Sequence, residues 1–454
     1  MMTEHEARKG NRPRCCRTGE SVQTSLRGIA NKAKEQPGYR FRNLYGMIDE
    51  ELLRLAWRRL NKKATAGIDQ VTAQEYGKEL KGNLEDLVDR LKRGGYRARL
   101  VKRTYIPKGD GKTRPLGIPA LEDRLLQKAV ALILEAIYEP TFLDCSYGYR
   151  PGRSPKIAVK TFRDALNFGD YTFVVEADIK GFFDHLDHEW LFRMLEERID
   201  DRKLFRLLGK WLKAGILEPE GKVINPLTGT PQGGIVSPIL ANVYLHYALD
   251  LWVEKSVKPQ LKGQVKYVRF ADDFVCAFSS EVEAKRFRAH LAGRLDKFGL
   301  KLAEEKTRVI RFGRYPGKNG QRFDFLGFEL FWGKSRKGMP FLKRRTSRKK
   351  FRRAFKGMGE WIKANRSMRL VELIDQLNAK LRGHYGYYGV IGNSASLGGF
   401  FYHVNRLVFK WLNRRSQKKS MTWPEYIRRV RGRLLNPRVM EKRVLQKKLY
   451  GIQC

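Results

Sequence analysis

Cysteine, acid and long apolar runs are what this 454-residue chain has least of. Its five cysteines (Cys15, Cys16, Cys145, Cys276 and Cys454) are scattered, and none has the C-x-x-C or Cys/His spacing of a zinc site. A disulfide framework is therefore not expected, and the pattern suits a reducing compartment. No apolar stretch approaches the roughly 18 to 20 residues that a membrane span needs. The nearest, residues 129–138, is interrupted by Glu135, and the N-terminus lacks the apolar core of a secretory signal. Acids number 48 against 92 lysines and arginines, a formal charge of +44. Such an excess implies a polyanionic partner, nucleic acid before an anionic membrane surface. What is present in quantity, 42% hydrophobic and 11% aromatic residues, rules out a mainly disordered chain and is enough for two or three domains.

Residues 1–38 are polar and basic and read as a mobile tail with a short helix over 25–34. From residue 45 the pattern turns helical, with Leu52, Leu53, Leu55, Ala56 and Leu60 at helical spacing, and a second helix over 80–91 stops at Gly94-Gly95. Tyr105-Ile-Pro-Lys108 and Arg114-Pro-Leu-Gly-Ile-Pro119 describe a hairpin with Lys108, Lys112 and Arg114 near its tip, a place that suits phosphate or simply faces water. Residues 121–138 form a strong helix with Glu122 and Asp123 in its first turn. Residues 171–179 read as a buried strand with Asp178 near its end, followed by helices over 188–199 and 203–214. Gly229-Thr-Pro-Gln-Gly-Gly-Ile-Val-Ser-Pro238 is a backbone-rich loop running into a helix over 239–251, and its amides can approach a nucleotide closely.

Two β-prone runs, Tyr267 to Phe270 and Phe274 to Phe278, then flank Ala271-Asp272-Asp273, a tight hairpin with adjacent acids at its turn. Taken alone this is a solvated Asp turn as readily as a site. A helix over 282–298, a strand over 308–312 and a hairpin opened by Phe323-Asp-Phe-Leu-Gly-Phe328 complete a mixed pattern that fits α+β better than a doubly wound sheet. Residues 331–454 hold 32 lysines and arginines against five acids, net +27, so most of the excess lies in this C-terminal part. Its helical patterns alternate with basic runs, Lys343, Arg344, Arg345, Arg348, Lys349 and Lys350, then Arg414, Arg415, Lys418 and Lys419. Trp361, Tyr385, Tyr387, Tyr388, Trp411 and Trp423 are interleaved with them. Charge plus stacking surface is how proteins hold structured RNA; the alternative is a helical domain with aromatic core and solvated charge.

Asp178 and Asp272-Asp273 all sit at the ends of β-prone runs, so one central sheet can bring them together. Carboxylates 4 Å apart repel by about 4 kcal/mol per pair at an effective dielectric near 20, and divalent cations remove that penalty. Magnesium takes few protein carboxylates plus substrate phosphates, and a pair of such ions promotes in-line phosphoryl transfer.

The ordered blocks Ile106-Pro-Lys, Arg114-Pro-Leu-Gly-Ile-Pro, Ser146-Tyr-Gly-Tyr-Arg-Pro-Gly, Ala177-Asp-Ile-Lys-Gly-Phe-Phe-Asp, Thr230-Pro-Gln-Gly-Gly, Phe270-Ala-Asp-Asp, Glu305-Lys-Thr and Phe325-Leu-Gly-Phe resemble the reverse transcriptases encoded by bacterial group II introns, which double as splicing maturases. Ala66-Gly-Ile-Asp69 and Leu381-Arg-Gly-His-Tyr-Gly-Tyr-Tyr388 extend the resemblance over about residues 45–430. It implies an α+β right-hand polymerase, fingers and palm with an antiparallel sheet over 39–330, then a helical thumb or maturase domain over 331–435 that binds RNA. A short basic tail over 436–454 follows, with no Cys/His cluster of an endonuclease domain.

The resemblance also implies roles. Asp178, Asp272 and Asp273 organise two Mg2+ ions, with Ile179 offering at most a backbone carbonyl. Lys108, Arg114 and Lys306 serve the triphosphate. Phe183 crowds a ribose 2′-hydroxyl, Gln232 and Gly233 line the nucleotide pocket, and Phe325, Leu326, Gly327 and Phe328 grip the primer. The two basic runs contact RNA. Phe270 stands where the family usually has tyrosine, which removes a hydroxyl but no carboxylate. His185 and His188 read as exposed polar residues rather than ligands. The implied function is RNA-directed DNA polymerisation with assistance to splicing and mobility. Its partners are structured intron RNA, an RNA template with a DNA primer, target DNA and dNTPs, in a cytoplasmic ribonucleoprotein and without a membrane. The rivals are a splicing maturase that does not use its polymerase and a reverse transcriptase recruited to defence or repair.

Overall fold

The structure, a computed structural model, describes residues 19–109, 112–225, 227–230, 233–315, 321–335, 337–415, 417 and 421–441. It divides into two compact units, one of Met1–Arg150, Ile179–Val257 and His290–Ala303, the other of Pro151–Asp178, Lys258–Ala289 and Glu304–Cys454. Helix and antiparallel sheet are mixed in the α+β manner expected. Among the described residues no helix is long and apolar enough to cross a membrane.

The first unit is built on the Leu121–Tyr138 helix, whose Leu125, Ala129, Ile133 and Ile137 are fully buried because apolar residues occupy almost its whole circumference. Helices Gly19–Glu35 and Glu50–Arg59 pack on it. The second of these begins where Asp49 accepts a hydrogen bond from the Leu52 amide at 2.8 Å. The Gly19–Glu35 helix corrects the expectation of a mobile tail through residue 38. Val22, Leu26, Ile29 and Ala33 recur at one helical face, Val22 and Ala33 are buried, and Arg198 donates to the carbonyls of Ala33 and Pro37 at 3.1 and 2.6 Å. The basic hairpin forms as expected, Val101–Gly109 against Lys112–Ile118 with Ile106 opposite Arg114. The helix expected over 239–251 is Ser237–Leu245 and then widens into a π turn at His246–Asp250. There Arg294 donates to the carbonyls of Tyr247 and Ala248, competing with the ordinary backbone ladder.

The second unit holds an antiparallel sheet in the order Val265–Phe270, Asp273–Phe278, Phe173–Lys180 and Arg308–Arg311. Both faces of the two central strands carry apolar residues, and Val174, Val175, Val275 and Cys276 are wholly buried. A second sheet runs Phe323–Phe325, Phe328–Lys334 and Pro340–Thr346. The strand Phe328–Lys334 crosses the division expected between residues 330 and 331, so no domain boundary falls there; continuous helical structure starts at Arg348.

Helices Arg348–Ala364, Leu370–Tyr388 and Ser394–Leu412 surround a core of Leu377, Leu381, Tyr385, Phe400 and Val404. Tyr426 of the Trp423–Arg429 helix closes it, donating from its buried hydroxyl to Asn405 at 2.9 Å. The beginning of the expected C-terminal tail is tied in: the Met440 amide bonds Gly389 at 2.7 Å and Glu441 pairs with Arg344.

Candidate active site

In the second unit the strand register sets Asp178 directly opposite Asp273, while Phe270 pairs with Asp273 across the hairpin. The two-residue turn between the strands is Ala271-Asp272, with Ala271 at φ 56°, a conformation that costs an L-residue roughly 1–2 kcal/mol. The buried Arg269 holds the turn, its guanidinium donating to the Ala271 carbonyl at 3.1 Å. Sequence reasoning had joined Asp178 to both neighbouring acids without choosing between them. The register selects Asp273 as the facing partner and leaves Asp272 in the turn beside it.

Like charge and desolvation strain this arrangement. Burial is the first cause that lifts the Asp273 carboxyl from its ordinary range to about 7, with Asp272 and Asp178 adding to it and Lys306 and Lys350 opposing. Asp273 is nonetheless open to solvent at one side, so water screens part of the repulsion. Lys306 forms an ion pair with Asp178, and that hydrogen bond raises the ammonium above its ordinary value. Glu176, two residues back on the same face, is lifted by burial and paired with Arg308 at 2.8 Å. The donors are hard oxygens, one already compensated by an ammonium and one reluctant to ionise alone, a set that fits a hard divalent cation. Among the described residues, no group of three or more His, Cys, Asp or Glu side chains is arranged to hold a metal as the side chains stand.

A second two-residue turn lies in the same unit. Phe325 pairs with Phe328, and between them Leu326 and Gly327 both have positive φ, 49° and 80°. That meets the requirement of a type I′ hairpin, although leucine is a costly residue for its first position. Both phenyl rings turn inward: Phe325 and Phe328 are buried, and Phe328 lies parallel to Tyr387 with centroids 5.9 Å apart. Of the predicted grip, therefore, the two phenyl rings are buried, and Leu326 and Gly327 at the turn keep partial exposure.

In the first unit the predicted nucleotide residues gather around backbone contacts. The Thr230 amide donates to the Phe183 carbonyl at 2.8 Å, and a side chain at Gly229 would strike the backbone of Phe183 and Asp184. Gly233, at φ 119°, approaches Gly117 so closely that a Cβ would meet its carbonyl at 2.3 Å. Arg114 is exposed on its hairpin strand, and Lys108 lies in the facing strand. Gln232 is outside the described residues. Ile179 is buried and pairs with Leu302. His185 is exposed, and His188 bonds the Gly229 carbonyl at 2.6 Å.

The basic runs divide. Lys343, Arg348, Lys349, Lys350, Arg414 and Arg415 are exposed. Arg344 is not an RNA contact: it is 1% exposed and its charge is taken by Glu441, because residue parity in the Pro340–Thr346 strand turns it inward. Arg345 pairs with Glu329, and Arg415 donates to the Met368 carbonyl at 2.9 Å. Lys418 and Lys419 lie outside the described residues. Most of the interleaved aromatics are core as well. Tyr385 is buried, Trp361, Tyr388 and Trp411 pack on the helical core, and Trp423 and Tyr387 keep appreciable exposure. Tyr387 is the residue whose part sequence reasoning missed; its sole signal was a place in the Tyr-Gly-Tyr-Tyr run.

Carboxylates facing across antiparallel strands, with cationic side chains near them, suit a divalent cation and phosphoryl transfer. Residues 106–330 match the model of the reverse transcriptase (RNA-dependent DNA polymerase) family, and residues 343–430 match the group II intron maturase-specific domain. The chain is 32% identical to the group II intron-encoded protein LtrA of Lactococcus lactis subsp. cremoris, over 83% of this chain and 75% of that one. It is 34% identical to protein YkfC of Escherichia coli, over 70% and 90% respectively, and 25% identical to a 91 kDa protein in the cob intron of Schizosaccharomyces pombe, over 85% and 55%. The chain belongs to the group II intron-encoded family of reverse transcriptases with a maturase domain. It is an RNA-directed DNA polymerase of the class that acts on intron RNA, and its family generally uses a divalent metal.

Proposed function

We propose that Asp178, Asp272 and Asp273 hold two Mg2+ ions and that this chain uses them to extend a DNA primer along an RNA template, while its helical C-terminal part binds the intron RNA and assists splicing and retromobility. The observation that carries this reading is the register of Asp178 against Asp273, with Lys306 on the first carboxylate and a raised carboxyl on the second. Bound there, the metal supplies charge stabilisation to the transferring phosphoryl group. Lys306 neutralises Asp178 until then and stands ready to pass its charge to an incoming phosphate. Lys108 and Arg114 bind the triphosphate, and the Phe183 ring excludes a 2′-hydroxyl. Gln232 and Gly233 border the base or sugar, and Leu326 and Gly327 at the turn meet the primer. The 3′-oxygen of the primer forms a bond to the α-phosphorus as pyrophosphate leaves.

On this reading the sheets are palm and the basic hairpin belongs to the fingers. The helices after Arg348 are the thumb, presenting Lys343, Arg348, Lys349 and Arg414 to RNA. Target DNA and dNTPs complete the partners, in a ribonucleoprotein of the bacterial cytoplasm. The test is primer extension on a homopolymer RNA template with Mg2+. Asp272→Ala is expected to abolish cDNA synthesis and to leave intron RNA binding within about twofold; full extension by that variant sinks the metal-site reading.

A further inference from the structure

The turn at Leu326-Gly327 is held by more than the pairing of its own strands, Phe325 with Phe328. Leu326, at φ 49°, occupies a backbone region that leucine avoids, and Gly327 follows at φ 80°. Each of the two turn carbonyls accepts a hydrogen bond from further along the chain. The Tyr387 hydroxyl donates to the Leu326 carbonyl at 2.9 Å across 61 residues, and the Ser347 amide donates to the Gly327 carbonyl at 3.0 Å. With both carbonyls engaged, the turn is anchored at two points outside its own strands, while Leu326 and Gly327 keep partial exposure.

Tyr387 is itself fixed from several directions. Its ring lies parallel to Phe328 at 12° and meets Tyr388 edge-on at 4.8 Å between centroids. The helix end that carries it is pinned where Lys156 donates to the Gly386 carbonyl at 2.9 Å and where the buried Asn393 donates to the Tyr388 carbonyl at 2.9 Å. Asn393 also accepts from the Thr346 amide at 2.8 Å, one residue before the Ser347 that holds the other carbonyl. Burial lifts the Tyr387 hydroxyl above its ordinary range, with Tyr388 and the charge of Asp273 adding to it, so the clamp lies within electrostatic reach of the acid pair. Lys350, whose Cγ would lie 3.6 Å from a Cβ at Gly327, brings a cation to the same place and counters the charge of Asp273.

We propose that Tyr387 is a positioning residue for DNA synthesis: its hydroxyl clamps the strained Leu326-Gly327 turn so that the turn presents one fixed geometry to the primer. This rests on the reading of that turn as the primer contact. It places a determinant of polymerisation inside the stretch that matches the maturase-specific domain, residues 343–430. A residue that served RNA binding alone needs no hydrogen bond to the hairpin, and a residue that served packing alone needs no hydroxyl. Here the phenol oxygen is used while the ring already packs on Phe328.

The experiment uses the full-length chain, an RNA template and a DNA primer, with single-nucleotide extension measured at saturating primer. Tyr387→Phe keeps the ring and removes the hydroxyl. The expected result is a fall in kcat of about tenfold, with the KM for dNTP and the affinity for intron RNA within twofold of the parent. The decisive comparison is a double-mutant cycle. Glycine adopts positive φ without strain, so in a Leu326→Gly background the turn needs no clamp, and adding Tyr387→Phe is expected to cost less than twofold. An effect of equal size in both backgrounds overturns the clamp and leaves a general packing role. Gly327→Ala separates this failure from failure of the underlying reading, because a side chain there is strained by φ and meets the Tyr388 hydroxyl at 3.1 Å. If Tyr387→Phe is silent but Gly327→Ala collapses extension, the clamp is wrong and the primer turn stands. If both are silent, the turn does not contact the primer and both ideas fall.

Discussion

Two hairpin turns in the same unit solve one problem in opposite ways. Phe270-Ala271-Asp272-Asp273 and Phe325-Leu326-Gly327-Phe328 each connect neighbouring strands through two residues, and each begins its turn with a non-glycine residue at positive φ, Ala271 at 56° and Leu326 at 49°. In each, a side chain holds the carbonyl of that strained residue. The difference is the source of the clamp: Arg269, two positions before Ala271, and Tyr387, 61 positions after Leu326. The acid turn is thus secured by a residue of its own strand. The second turn is secured by a helix of the maturase match and follows that helix. Strained turns persist where surrounding structure over-determines them, and such turns gather at working sites.

The comparison predicts that the acid turn fails chemically before it fails structurally. Asp273→Asn removes the carboxylate that faces Asp178 without changing side-chain size. cDNA synthesis in Mg2+ is expected to fall by about a thousandfold, while thermal unfolding shifts little or upward because a like-charge repulsion is gone. Activity within tenfold of the parent would break the distinction between the two turns.

A smaller effect concerns pH. The Asp273 carboxyl sits near 7, above its unfolded value, so the native metal-free chain binds the extra proton between roughly pH 4 and pH 7. Its stability is then highest at the acid side of that window, declines as pH rises through it and is level above. Metal binding needs the ionised form. The metal-dependent rate at limiting Mg2+ is therefore expected to drop by about tenfold per pH unit below 7, and raising Mg2+ moves the inflection to lower pH. A rate flat from pH 5.5 to 8 would show that Asp273 ionises freely.

The smallest effect is on backbone strain. Ala271→Gly relieves the left-handed residue of the acid turn, and Arg269 still bonds the carbonyl. Urea unfolding is expected to change by less than about 0.5 kcal/mol, because the strain relieved is offset by the entropy glycine adds to the unfolded chain and by the loss of a buried methyl. A loss above about 1 kcal/mol would mean that the left-handed backbone at Ala271 carries little strain.

Much of this was legible in the chain. The Leu121–Tyr138 helix, the basic hairpin and the strands around Asp178 and Asp272-Asp273 follow from local periodicity and turn chemistry, which depend on residues close in sequence. The Gly19–Glu35 helix was less legible because a basic, polar segment with a four-residue apolar stripe resembles a solvated tail until something packs on the stripe. Arg344 was misread for a related reason. In a run of three cations, strand parity decides which one points inward, and parity is visible only once the register is known. The stacking aromatics divided likewise, Tyr385 to the core and Tyr387 to the turn.

Composition and the order of motifs by themselves determined the class of this protein. A large positive charge implies a polyanion, and acids at the ends of apolar strands imply a cation once one sheet brings them together. Tertiary structure alone decided which acid faces which, which cations are exposed and which are buried, and that a tyrosine of the maturase match holds a turn of the second unit. Those are matters of register and of contacts between residues far apart in the chain. They depend on how strands and helices pack, which no local pattern encodes.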